Sequence, residues 1–233
     1  LYPQNVSKQA NEIIWSGGVS WFWFYMYNKH KDSKFNFDHS NKIYDFLYLN
    51  KQPRSHREKL YNRLSDKGIL DNSLHTKWPE RKLPAEYELP WAQDYPQYGM
   101  DQDIYEKPYN DTAFSIVSET NDNNNEIFMT EKIWKPIIAQ QMFVVHGNYL
   151  YLQKLKELGF KTFNSYFEEA YDLDKDPDMR IDTIVDVCDR LRDAPWQDMY
   201  LHSKALRQHN VDNFFNKEKL SSAINDTLNL FLK

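Results

Sequence analysis

Residues 114–147, FSIVSETNDNNNEIFMTEKIWKPIIAQQMFVVHG, hold the unit that decides the fold. Ala113 to Val117 and Met142 to Val145 are short apolar runs without polar alternation, the pattern of strands covered on both faces. Between them a polar stretch, Ser118 to Glu126, leads into Thr130-Glu131-Lys132. Thr130 suits a helix N-cap, and Glu131 sets an acid where the helix dipole favours one. Strand, polar turn, helix and strand form one unit of a parallel α/β sheet.

The pattern extends in both directions. Upstream, Ile43 to Leu49 (IYDFLYL) reads as a strand closed by Asn50-Lys51-Gln52-Pro53. From Ser55 the period changes: Leu60, Leu64 and Ile69/Leu70 share a helix face, with Gly68 as a C-terminal cap. Residues 71–110 carry five prolines (Pro79, Pro84, Pro90, Pro96, Pro108) and no sustained period, so a long loop region with short elements is expected. Downstream, a helix is expected over Tyr149 to Leu158 with Gly159 as its cap. A strand over Phe160 to Phe163, an amphipathic helix over Asp178 to Arg192 and further helical stretches from Trp196 onward follow. The alternation predicts a Rossmann-like parallel sheet. Its expected division is a reduced N-terminal, acceptor-side segment (1–42), a nucleotide-binding domain (43–195) and C-terminal helices packing back on it (196–233).

Composition narrows the class. The 233 residues carry 29 Lys+Arg against 34 Asp+Glu, a net charge of −5, which excludes a basic nucleic-acid clamp spread over the whole surface. Seven Trp, sixteen Tyr and fourteen Phe argue for a well-filled core and against disorder. Cys188, the single cysteine, lies among Ile184, Val185, Val187 and Leu191 at helical spacing and reads as a buried thiol. With no leader-like N-terminal segment, a cytoplasmic setting is the expectation. Ile13 to Asn28 (IIWSGGVSWFWFYMYN) has no charge, but it is shorter than the roughly 20 apolar residues of a spanning helix and reads as a buried strand or strand pair. No membrane association is expected.

Ligands of open α/β sheets bind beyond the carboxyl ends of the strands. After Leu49 come Asn50, Arg54, His56 and Arg57, the last on the first turn of a helix, where a cation opposes the dipole unless an anion lies between them. After Val117 come Ser118, Glu119 and Thr120, and then the helix start with Thr130, Glu131 and Lys132. Free N–H groups and Lys132 suit a phosphate there, and Glu119 or Glu131 suits a sugar hydroxyl. A solvated basic helix start and a capped surface helix with an exposed Glu-Lys pair are the plainer readings of these two turns.

No G-x-x-x-x-G-K-[ST], G-x-G-x-x-G or G-x-S-x-G stretch occurs, which disfavours P-loop ATPases, dehydrogenases and α/β-hydrolases. No Cys/His metal spacing occurs, and His202 and His209 lie too far apart to share a helix-face metal site. A nucleotide-bound donor remains as the natural ligand.

FSIVSET…FMTEKIWKPIIAQQMFVVHG resembles the donor-binding signature of the α-1,3-fucosyltransferase family. LYLNKQPRSHREKLYNRL (Leu47 to Leu64) is similar to that family's strand–Asn–loop–Arg–helix element. With GFKTF (Gly159 to Phe163), the chain also looks like glycosyltransferase-like proteins of viruses and bacteria. The resemblance spans about Ile43 to Phe163 and implies a GT-B glycosyltransferase with a reduced N-terminal half, using a UDP- or GDP-sugar without a tightly bound cofactor or metal. It implies that Arg57 and Lys132 contact the donor diphosphate and stabilise it as it leaves. Glu119 and Glu131 would hold the ribose or sugar, and Asn50 would shape the turn; Arg54, Ser118 and Thr130 complete the donor site. Thr120 replaces the family's Asn, and Pro136 inside the helix is expected to shorten or kink it.

Glu12, Asp32, Asp38, Asp101 and Asp103 are the candidates for the general base, with no ground for choosing among them. The basic run Lys51, Arg54, Arg57, Lys59, Arg63 and the aromatic excess admit a hydroxymethylated base in viral DNA as acceptor, and equally a glycan or protein. Two other classes stay open: a non-catalytic nucleotide- or carbohydrate-binding module, and a metal-dependent nuclease built on Asp111, Glu119, Glu131 and Lys132.

Overall fold

The computed structural model describes residues 18–50, 52–77, 83–87, 102–122 and 127–231. Four strands, β1 (Tyr44–Tyr48), β2 (Ser73–His75), β3 (Thr112–Ser118) and β4 (Met142–His146), form a parallel sheet in the order β2-β1-β3-β4. Phe46 pairs with Phe114, and Phe114 pairs with Met142. β3 and β4 are buried at every residue, as strands clad on both faces must be. Tyr48 pairs with His75 and Ser118 with His146, so the turns after the four strands emerge along one edge.

The helices are α1 (Gly18–His30), α2 (Ser55–Asp66), α3 (Glu106–Asp111), α4 (Glu131–Ile138), α5 (Tyr151–Glu157), α6 (Pro177–Arg192), α7 (Trp196–Phe214) and α8 (Lys217–Phe231). Gly68 and Gly159, expected as helix caps, sit at φ +70° and +84°. Pro136 lies inside α4, which ends two residues later; Gln140, just beyond, has φ 53°. Among the described residues no helix is long and apolar enough to cross a membrane.

Two local readings are corrected. The charge-free stretch before Asn28 reads as strand, but its described part is helical. Ser20, Trp23, Met26 and His30 are buried, a spacing of three to four, while Trp21, Phe24 and Tyr25 face solvent. An unbroken aromatic run has no period of its own; burial of one stripe imposes it. Trp23 stacks on Trp134 and meets Phe160 and Phe214 at ring-centroid distances of 5.6, 5.2 and 6.3 Å, and its indole N–H donates to the Phe214 carbonyl at 2.8 Å.

Residues 160–163, expected as a strand, form no ladder. Lys161 N–H donates to the Asn210 side chain and its carbonyl accepts from Asn210 Nδ2, both at 2.8 Å, while Phe163 N–H donates to Glu169. Side chains satisfy the backbone that a neighbouring strand would otherwise have to satisfy. β2 lies in the stretch expected to hold short elements within a long loop, and at three residues it is too short to display a pattern of its own.

Candidate functional site

β1 connects to β2 on one side of itself and, later in the chain, to β3 on the other. The two loops leave β1 and β3 in opposite directions, opening a crevice at the topological switch point, where open α/β sheets take their ligands. The elements expected to carry the site meet there.

Arg57, on the first turn of α2, is buried. Its Nε donates to the Glu119 carbonyl at 3.2 Å, and Nη2 donates to the Glu119 and Ser118 carbonyls at 3.0 and 3.2 Å. Nη1 donates to the Gln52 carbonyl at 3.3 Å. A guanidinium has five N–H donors, so one on Nη1 stays available. Burial lowers its pKa, partly offset by the charge of Glu119. The hydrogen bonds of this cation go mainly to two strand-end carbonyls, while the nearest opposite charge is the Glu119 carboxylate.

Glu119 is fully buried. Its carboxylate accepts from the Thr130 N–H at 3.0 Å, the Thr130 hydroxyl at 2.6 Å and the Tyr151 hydroxyl at 2.7 Å. It thus joins the ends of β3, α4 and α5 and spends its lone pairs inside the fold. Gly147 is needed beside it: a Cβ there would lie 2.6 Å from Tyr151 Cδ2.

Thr130 is the N-cap of α4, accepting from Lys132 N–H at 3.4 Å. Lys132 Nζ reaches Glu131 at 2.8 Å, Thr130 Oγ1 at 3.0 Å and Thr120 Oγ1 at 3.3 Å, with its side chain 25% exposed. Burial pushes the Glu131 carboxyl up, but the Lys132 and Lys135 charges prevail and hold it below the ordinary carboxylate value. Lys132 is thus a partly accessible cation on exchangeable partners, beside the N–H groups that open α4. Ser118 is buried, its hydroxyl 3.5 Å from His146 Nδ1. Arg54 is the exposed N-cap residue of α2, adding positive charge near Arg57.

Asn50 is 7% exposed. Its backbone is clamped by Thr76, whose Oγ1 accepts from Asn50 N–H at 2.8 Å and donates to Asn50 O at 3.1 Å. Its side-chain oxygen and nitrogen are both closed to solvent. Burial pushes the adjoining Tyr48 hydroxyl up and its hydrogen bond with the Asn50 side chain draws it down, and the same hydroxyl donates to the Arg57 carbonyl at 3.4 Å. Asn50 lines a cavity of about 250 Å³ with Gln52, Pro53, Arg57, Tyr61 and Thr76.

Sequence reasoning missed two residues here. Arg180, on α6, is 1% exposed and donates to the carbonyls of Gly147 (2.9 Å), Asp122 (3.2 Å) and Asp174 (2.7 and 3.0 Å), doing for β4 what Arg57 does for β3. Its signal was an arginine on the apolar stripe formed by Ile184, Val187, Cys188 and Leu191. His146 is fully buried with Nε2 unpartnered. Burial holds it well below the usual imidazole range, and His56, Arg180 and Arg57 add to this. His56 bonds the Glu119 carbonyl at 3.0 Å, and its ring meets that of His146 edge-on at 5.4 Å.

The other candidates are not drawn together. Asp111 precedes β3 at its amino end, the whole seven-residue strand away from Glu119, roughly 26 Å. Among the described residues no group of three His, Cys, Asp or Glu could hold a metal. Asp38 also belongs to the amino end: its N–H donates to Asn110. Asp103 pairs with Lys29, and Asp32 is exposed beyond α1. Glu12 and Asp101, like Lys51 of the basic run, lie outside the described residues. Lys59 and Arg63 pair with Asp178 and Asp182 of α6.

No family model, no curated protein and no solved structure matches this chain, so the geometry at the carboxyl edge of the sheet carries the functional reading.

Proposed function

We propose that this chain is a glycosyltransferase of GT-B type that binds a nucleoside-diphosphate sugar, as UDP- or GDP-sugar, over the β1/β3 crevice and transfers the sugar to a hydroxyl acceptor. The observation that carries the reading is the convergence of Arg57, Lys132 and the start of α4 on one switch point. Departure of a nucleoside diphosphate leaves negative charge on its terminal phosphate, and fixed donors at that position lower the barrier. Lys132 supplies a cation that can exchange Thr120 and Glu131 for phosphate oxygens. The N–H groups at the start of α4 add donors. Arg57 contributes one N–H and chiefly fixes the crevice floor. The pairing of Lys59 and Arg63 with α6 removes charge that a DNA acceptor would use and favours a glycan or protein acceptor.

A second reading, a nucleotide-binding module without transferase activity, is favoured by one observation. The acids nearest the crevice, Glu119, Glu131 and Asp122, already bond within the chain. Thermal shift with UDP-, GDP- and CDP-sugars, with and without divalent metal, tests both readings. One nucleotide at a hundred times its Kd stabilises by about 2.7 kcal/mol. Stabilisation without metal, together with release of free nucleoside diphosphate on adding an acceptor, supports transfer. Binding without release supports the module, and stabilisation by metal alone overturns both.

A further inference from the structure

We infer that an anion entering the β1/β3 crevice brings a proton with it, which settles on His56 and makes that side chain a further cation of the site. The inference rests on the proposed function for its ligand class and on separate geometry for its location. His56 is buried at the start of α2, one residue before Arg57. Its Nε2 lies 3.0 Å from the Glu119 carbonyl, and its Nδ1 lies 3.5 Å from an Asp122 carboxylate oxygen. A carbonyl and a carboxylate accept and do not donate. Neutral imidazole carries one N–H, and the closer contact places it on Nε2. Nδ1 then turns a lone pair toward a carboxylate, an arrangement that a second proton makes attractive.

The surroundings of the ring oppose that proton in the empty crevice. Burial holds His56 below the usual imidazole value; the Glu119 carbonyl and Asp122 draw it up, and Arg57 and Arg54 of α2 press it down. From β4, His146 meets the ring edge-on at 5.4 Å and is itself held neutral, chiefly by burial. From α6, Arg180 donates to the Asp122 carbonyl at 3.2 Å, which adds a third guanidinium. From α4, Lys132 reaches the same turn, its Nζ 3.3 Å from Thr120 Oγ1. The Glu119 carboxylate is turned away, toward Thr130 and Tyr151. A phosphate set beside Arg57 and Lys132 offsets their charge at the ring, which favours the charged imidazole. The contact with Asp122 then closes on a proton taken from solvent through that carboxylate, whose side chain is 22% exposed. Protonated on both nitrogens, the ring ties the start of α2 to the turn after β3 at two points, residues 119 and 122, and adds positive charge behind a departing diphosphate.

The test uses the full chain with UDP-glucose, GDP-mannose and sulfate, anions whose charge does not change between pH 6 and 8. Calorimetry in buffers of different ionisation enthalpy counts the protons bound with each anion. Because the complex holds more protons than the free chain, affinity should fall as pH rises. Uptake of a large fraction of one proton is expected near pH 6.5, and Kd should rise at least about threefold from pH 6 to pH 8, as a midpoint raised by about one pH unit requires. His56→Gln places an amide N–H where Nε2 stood and cannot titrate, so it should lose the uptake and most of the pH dependence. Asp122→Asn should cut the uptake as well, since its amide N–H can serve the bare Nδ1. Anion binding without uptake in the native chain, or uptake that persists in His56→Gln, overturns the inference and leaves the donor reading intact. Sulfate binding with uptake while neither nucleotide sugar binds overturns the donor reading and upholds the proton linkage. Binding of none of the three overturns both. Should His56→Gln not fold, the ring Hε1 resonance of His56 in the native chain decides. Its titration midpoint should rise by at least about one pH unit with saturating anion, and an unmoved midpoint overturns the inference.

Discussion

Arg57 and Glu119, 62 residues apart, are joined side chain to backbone: Nε and Nη2 of the arginine converge on the glutamate carbonyl at 3.2 and 3.0 Å. This bond ties α2 to the end of β3 and makes Arg57 part of the frame of the crevice. Arg57→Ala therefore leaves buried carbonyls unmet and should cost about 3 kcal/mol in urea denaturation, where hydrogen bonds to charged groups contribute roughly 1.5–3 kcal/mol each. A residue serving a ligand alone would leave unliganded stability unchanged.

Lys132 should behave in the opposite way. Its own side chain is 25% exposed and Lys135 stays beside Glu131, so Lys132→Ala is expected to change unliganded stability by less than about 1 kcal/mol. The same substitution should abolish the thermal shift given by UDP- or GDP-sugars. A full shift retained in Lys132→Ala would remove the lysine from the donor site.

Gly147 has no room for a side chain against Tyr151. Gly147→Ala should push that ring aside, loosen its hydroxyl from Glu119 and destabilise by about 1–3 kcal/mol. Pairing it with Tyr151→Phe gives a direct check: if the two act through the same bond, their effects on the denaturation midpoint fall short of additive.

Acid should weaken the fold before it reaches the carboxylates. Burial, with the charges of Lys42 and Arg207, pulls His39 down to about 3. The unfolded chain takes up that proton near pH 6.5, so stability is full above 6.5 and falls as pH drops toward 3. His30, His56 and His146 are also lowered, chiefly by burial, and act in the same direction. Lys42, which donates to His39 and to the carbonyls of Tyr109 and Asn110, is lowered to about 7 by burial. Between pH 7 and 10.5 the unfolded chain holds a proton that the folded chain releases, so this amine makes stability rise with pH over that window. Urea midpoints measured from pH 4 to 9 should climb throughout, and His39→Gln should flatten the acid limb. A midpoint that falls between pH 4 and 6.5 contradicts the assignment.

Strand identity was legible where apolar runs stood alone, as in β1, β3 and β4, and helix starts where a capping residue preceded a periodic stretch, as at Thr130. An aromatic run that fills the exposed face as well as the buried stripe shows neither period 2 nor period 3.6, which is why α1 reads as strand. At the site, local rules picked out Arg57, a cation against a helix dipole, but could not tell which anion it met. That partner is the carbonyl of a residue 62 positions away, set by topology. Asn50 was legible as a donor-site residue at the turn after β1, but that both ends of its amide are closed to solvent is visible only in the fold.

Trp23 finds its carbonyl partner at Phe214, 191 residues further along the chain, and Ser20 meets Thr227 at 2.9 Å. Ribosomes add about 5–20 residues per second, so the aromatic stripe of α1 waits on the order of 10–40 s before its cover emerges. During that interval it is an open hydrophobic surface on a nascent chain. Early synthesis, more than the finished molecule, is therefore the stage at which this stripe is open to non-native contacts.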